Sequence, residues 1–160
     1  MEPEQLTHLD KSGNPTMVDV SAKQVTHRSA TAQSVVVLPD EVLRLLVGGE
    51  LQTKKGAVFQ TAIIAGIMAA KKTGDLIPLC HPLGMDNCQV TIALADNYEV
   101  IIECTASISA KTGIEMEALV GASIAALTVY DMCKALSHDI VIKETRLIAK
   151  TGGKRDFKRS

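Results

Sequence analysis

TGIEMEALVGASIAALTVYDMCKAL, residues 112–136, is the longest unbroken helical pattern in the chain. Met116, Leu119, Val120, Ile124, Leu127 and Ala135 recur at helical spacing, and the alanines between them favour a slender helix that packs closely. Thr112 suits the N-cap, with Glu115 three residues on as its capping-box partner and Glu117 also in the first turn, where the helix dipole favours negative charge. Asp131 and Lys134 share one face near the far end. The spacing from Glu117 to Asp131 returns to nearly the same face but spans about 21 Å along the axis, at 1.5 Å per residue. One small ligand cannot touch both. Joint use requires either a ligand as long as a nucleoside triphosphate or a second subunit that brings one end of its helix to the other's site. Taken by themselves, the glutamates serve equally well as caps, and Asp131 with Lys134 as a surface ion pair.

The segments on either side supply a sheet. CQVTIALA (88–95) and YEVIIECTAS (98–107) alternate with period two around Asp96 and Asn97, which reads as a hairpin with a two-residue turn. DIVIKETRLIAK (139–150) alternates through Ile140, Ile142 and Leu147 as a further strand. Upstream, Ala32 to Leu38 is a β-rich run, Pro39 suits a first helical turn, and EVLRLLV continues as a short helix to Gly48 and Gly49. After a loop, ELQTKKG, residues 57–73 form a second helix with lysines in its last turn and Gly74 at its end. The order β, α, α, β, β, α, β predicts an α+β fold of the ferredoxin-like split βαβ kind, a four-stranded antiparallel sheet with the helices packed on one face. Residues 1–160 are expected to be a single domain with an extended N-terminal arm, about 1–31, and a basic C-terminal tail, about 151–160. The arm is either disordered or laid over a neighbouring subunit. The tail is either a solubilising end or a holder of phosphates. Val100, Ile101, Ile102 and Cys104 make the second hairpin strand apolar on both faces for part of its length, which suggests burial against another copy.

Seventeen basic and 18 acidic residues leave the chain nearly neutral, and two tyrosines and two phenylalanines offer little for stacking on bases, so nucleic acid is not an expected partner. With 46% hydrophobic residues there is ample material for one core. Cys80, Cys88, Cys104 and Cys133 have no zinc-type spacing, MEPEQLTHLD is not a secretory signal, and no uninterrupted apolar run reaches the ~18 residues of a membrane span. Free thiols in a reducing cytoplasm, without membrane attachment, are expected.

Two further stretches carry chemistry. Lys54 and Lys55 precede the second helix, where positive charge and backbone N–H groups suit a phosphate, although adjacent loop lysines are also commonly solvated. In LIPLCHPL (76–83), Pro78 and Pro82 hold the chain extended, bar a regular central strand, and present Cys80 and His81 from a stiff loop.

LTH from Leu6, MVDVSAK from Met17, AGI-x-AAK-x-T from Ala65, LIPLCHPL from Leu76, TG-x-EMEAL from Thr112, AALT-x-YDMCKA from Ala125 and KTGG from Lys150 together resemble the cyclic pyranopterin monophosphate synthase family of molybdenum cofactor biosynthesis. The resemblance covers nearly the whole chain. It implies conversion of a 3′,8-cyclised dihydro-GTP into cyclic pyranopterin monophosphate with release of diphosphate. It also implies a homohexamer, a trimer of dimers, with sites at subunit interfaces. Carried over by motif, Asp131 and Lys134 are catalytic, Lys55, His81, Glu115, Glu117 and Lys150 line the pocket, Leu79, Cys80 and Met116 join His81 and Glu117 in touching substrate, and Arg28 and Lys23 reach its phosphates from the arm. No cofactor or protein-bound metal is implied; the change is a rearrangement, and magnesium would come only with the triphosphate. Ala57 stands where the family usually has aspartate and Ile63 where it often has arginine, which together read as one lost ion pair at the start of the second helix.

Overall fold

Thr26–Val37 forms the central strand, β1, of a computed structural model that describes residues 6–160. Its β-branched, alternating sequence suits a strand with neighbours on both edges. Strand β1 pairs antiparallel with Glu99–Ala110, here β6, and with Val141–Thr151, here β7. Asn87–Leu94, here β5, completes the hairpin with β6. The order β5-β6-β1-β7 is that of the expected split βαβ sheet. A fifth, two-residue strand, β8 (Phe157–Lys158), extends it along β7, so among the described residues the sheet has five strands and not four.

One face of the sheet is closed by helices. Val36, Val100, Ile102, Cys104, Ala106 and Ile108 are buried beneath α2 (Val58–Lys71) and α4 (Glu115–Cys133). On the opposite face the strands carry polar pairs, Thr31 with Thr105 at 2.8 Å and Gln33 with Glu103 at 3.1 Å. Helix α4 is long and apolar enough by composition to cross a membrane, yet half of that stretch is buried inside the protein. Its buried stripe is made of small residues, Ala118, Gly121, Ala122, Ala125 and Ala126, with Val129. Of the bulky residues at helical spacing, Met116 and Leu127 are exposed, while Leu119 packs partly buried against the core. Small residues win that face because α2 lies so close that a Cβ at Gly66 would stand 2.9 Å from the Gly121 carbonyl oxygen.

Several boundaries differ from those expected. Residues 26–31, read as the end of the arm, belong to β1, because their partners on β6 continue to Ala110. Residues 1–5 of that arm lie outside the described residues. The helix expected to reach Gly48 stops after one turn, α1 (Asp40–Leu43). Gly48 and Gly49, with φ of 59° and 80°, reverse the chain between β2 (Leu46–Val47) and β3 (Glu50–Thr53), and β4 (Gly56–Ala57) completes a small second sheet. The turn between β5 and β6 is also longer than two residues: Tyr98, at φ 64°, adopts the left-handed conformation after Asp96 and Asn97. The tail is not loose, since the Arg159 amide donates to the Ile148 carbonyl at 2.7 Å. A one-turn helix, α3 (Thr73–Leu76), follows α2, and no regular strand forms between Ile77 and Asp86, as the prolines require.

The start of α2 shows how the chain manages without an acid at position 57. Ala57 is the N-cap and makes no side-chain bond. The carboxylate of Glu50 takes over: it accepts the amides of Phe59 at 2.7 Å and Gln60 at 3.0 Å, two of the free donors of the first turn. Glu50→Ala should therefore cost about 1 kcal/mol, a normal cap loss, in urea unfolding at constant protomer concentration, and Ala57→Asp in that background should recover most of it. A cost no larger than that of a neutral surface change would show that the carboxylate does not cap the helix.

Candidate active site

The N-terminal end of α4 gathers one set of side chains. Glu117 is buried, at 3% exposure, and burial pushes its carboxyl group upward, with the neighbouring Glu115 charge adding to the shift and its own amide opposing it. Glu115 does not form the expected capping box with Thr112. The helix begins at Glu115 with Ile114 as its N-cap, and no side chain caps it. Glu115 instead pairs with Lys150 of β7 at 3.0 Å, folding back through space that a side chain at Gly113 would occupy. The loop after α3 brings Leu79, Cys80 and His81 to the same place. His81 Nε2 lies 2.7 Å from the Val18 carbonyl of the N-terminal arm. Burial, and then the Glu117 charge, raise the Cys80 thiol, which keeps it neutral.

These groups line a cleft of about 380 Å³, to which the arm adds Val18, Val20 and Lys23. A second cleft of about 400 Å³ opens beside it and shares Lys23, Glu115 and Lys150. Its other cations are Arg28, Lys154 and Arg155. Arg28 donates from Nε to the Ala110 carbonyl at 3.2 Å, and Thr26 Oγ1 donates to the Gly152 carbonyl at 2.7 Å, so strand and tail hold each other at this edge. The structure thus brings together Lys23, Arg28, Leu79, Cys80, His81, Glu115, Met116, Glu117 and Lys150. It adds His8, Val18, Val20, Lys154 and Arg155, which the sequence reading did not select. The alternation of Val18 and Val20 about Asp19 was the available signal for the arm. Lys154 and Arg155 had only the basic character of the tail.

Asp131 and Lys134 are elsewhere, at the other end of α4, paired at 2.8 Å with both side chains more than half exposed. The hydrogen bond from Lys134, then its charge and that of Lys55, hold the Asp131 carboxyl below its ordinary range. The same bond raises Lys134, so its side chain stays an ammonium. Lys55 belongs to this end as well. The β3–β4 turn places it there: Thr53 Oγ1 accepts the Lys55 amide at 3.1 Å and donates to the Gly56 carbonyl at 3.1 Å. Two groups of candidate residues, one with a buried carboxyl and a half-buried imidazole and one with an exposed ion pair and a lysine, therefore stand at opposite ends of a rigid helix.

Known proteins share this arrangement of sequence. A cyclic pyranopterin monophosphate synthase of Xanthomonas campestris pv. campestris (strain B100) is 57% identical over 153 residues, covering 96% of this chain and 93% of the relative. Molybdenum cofactor biosynthesis protein 1 of Dictyostelium discoideum is 48% identical over 171 residues, which take in 96% of this chain and 27% of that longer protein. A molybdenum cofactor biosynthesis bifunctional protein of Synechocystis sp. (strain ATCC 27184 / PCC 6803 / Kazusa) is 52% identical over 154 residues, 94% of this chain and 44% of its own length. The family model of the MoaC family spans residues 17–153, from the arm that bonds His81 to the glycines behind the basic cleft. On these matches, as the motifs led one to expect, the chain belongs to the MoaC family.

Proposed function

We propose that this chain is a cyclic pyranopterin monophosphate synthase, converting the 3′,8-cyclised dihydro-GTP into cyclic pyranopterin monophosphate and diphosphate in molybdenum cofactor biosynthesis. The observation that carries this reading is the pair of joined clefts. One offers a buried carboxyl and an imidazole suited to the edge of a base, and the other offers clustered cations suited to a triphosphate. In this reading Lys23, Arg28 and Lys150 offset phosphate charge, and Leu79, Cys80, His81, Met116 and Glu117 hold the purine-derived part. As the ribose-derived hydroxyl attacks the α-phosphorus and the bond to diphosphate breaks, cations stabilise the charge that develops on the leaving group. Lys134, kept protonated by Asp131, acts as general acid, and Asp131 orients it. Lys55 lies beside that pair and adds a further positive charge.

The two ends of α4 do not meet within one chain, so the working site takes Asp131, Lys134 and Lys55 from one protomer and the joined clefts from another. A homohexamer built as a trimer of dimers meets that need. The substrate is a nucleotide, no resident cofactor or metal is assigned, neither nucleic acid nor membrane is a partner, and the cytoplasm is the assigned compartment. We assign all of this to a single domain over residues 1–160.

Incubation with the cyclised nucleotide should release diphosphate; binding without release would make the protein a nucleotide sensor instead. Lys134→Ala should abolish release while leaving melting and assembly unchanged, and near-normal turnover in that variant would remove the catalytic assignment. Mixed oligomers of a Lys134→Ala chain and a His81→Ala chain should regain activity, up to about a quarter of wild type if chains mix at random and each site draws on two protomers. Verified mixed oligomers without activity would exclude a shared site.

Glu117 supplies a pH test. Its folded value is raised, so the stability it contributes is complete below the ordinary carboxyl range and is lost as pH rises through the folded value. Glu117→Gln should therefore melt higher than wild type at pH 8, with the difference vanishing below about pH 4. Equal melting at pH 8 would show that the charge is compensated in the assembled protein.

A further inference from the structure

We infer that Lys111 is a positioning residue, which tethers the N-terminal arm across the cleft so that Lys23 faces the substrate's phosphates; the inference rests on the function proposed above. Residues 17–25 belong to no helix or strand, so their course must be set by other contacts. Two side-chain hydrogen bonds from the body reach this arm among the described residues. One is His81 to the Val18 carbonyl at 2.7 Å, and the other is Lys111 Nζ, donating to the Ser21 carbonyl at 3.1 Å across 90 positions of sequence.

The second bond grips a preformed turn. Asp19 Oδ1 accepts the Ser21 amide at 2.9 Å, and the Lys23 amide donates to the Val20 carbonyl at 3.0 Å. Asp19 is held mainly by its bonds to Ser21, with the Lys111 charge a lesser attraction, so the cation grips the turn through the Ser21 carbonyl. Fixing Ser21 fixes its neighbours. Val18 and Val20 face inward as cleft wall, and Lys23 enters both clefts. Lys111 itself follows directly on β6, between Ala110, whose carbonyl takes Arg28, and Thr112 at the cleft rim. It lines neither cleft. Its place is therefore behind the arm, where it acts through Lys23 without meeting the reacting atoms.

The test compares Lys111→Met, which keeps the apolar stem, with Lys111→Arg, which keeps the charge. In the oligomer without nucleotide, hydrogen exchange at the Ser21 and Lys23 amides should quicken about tenfold in Lys111→Met, the loss expected for one exposed charged hydrogen bond. Exchange in β1 and β6 should not change. Affinity for inorganic triphosphate should fall about tenfold, and KM for the cyclised nucleotide should rise to the same extent with kcat within about twofold, as for lost binding that is equal in ground and transition states. Lys111→Arg should restore most of each. Unchanged arm exchange in Lys111→Met, a fall in kcat in place of a rise in KM, or an arginine variant no better than methionine would overturn the assignment. Exchange and triphosphate binding need no turnover, so a wild-type protein that released no diphosphate would overturn the reaction while these two measurements still judged the tether.

Discussion

The closeness of α2 and α4 is the constraint on which the rest of the structure depends. At Gly121 a Cβ would meet Cys104 Sγ of the sheet at 2.5 Å and the Gly66 carbonyl oxygen at 3.2 Å, and at Gly66 it would meet the Gly121 carbonyl oxygen at 2.9 Å. Two helices and a strand are thus packed to the limit that backbone atoms allow. Such an arrangement leaves no gap to absorb a shift, and a displacement at one end of α4 is carried to the other. The side chains with chemistry sit at those two ends; the helical rise sets their separation, and the glycine contact fixes where they lie against the sheet and α2.

The electrostatics of the two ends differ for a reason that follows from their surroundings. At the N-terminal end the helix dipole and Lys150 favour negative charge, and Glu115 can stay beside a cation while Glu117 is taken out of water. At the C-terminal end the pair is open to solvent, and Asp131 and Lys134 stabilise one another's charged forms. In the proposed function the first end, with Glu117, His81 and the cations Lys23 and Arg28, takes the base and phosphates of the substrate. The second supplies the ammonium of Lys134, paired with Asp131 and open to solvent. In the proposed assembly each end supplies what the other lacks, and the arm and basic tail bring further cations to the phosphate side.

Much of the fold could be read from periodicity. The hairpin, the second and long helices, the last strand and the order of the split βαβ unit all have enough residues for a period of two or 3.6 to be visible. Short elements were misread where one residue type serves two purposes. Gly48 and Gly49 are as suited to ending a helix as to turning a hairpin, and only the pairing of Leu46 with Leu51 distinguishes these. Glu115 is a normal capping-box partner by spacing, and it was drawn away by Lys150, which is 35 positions distant in sequence. The tail was placed by its bonds to β7, which leave no local mark.

What the sequence determined by itself was the set of motifs that place the chain in its family, the class of fold, and the incompatibility between one small ligand and two charge clusters so far apart on one helix. These are local matters of residue type and spacing. Only the tertiary structure decided which side of α4 is buried, that Glu50 replaces the missing cap at Ala57, that Lys55 stands with Asp131 and not with His81, and that the arm lies across the cleft on Lys111 and His81. Each of those depends on contacts between residues far apart in the chain, and no periodicity or motif records which distant carbonyl or carboxylate a side chain will find when the layers close.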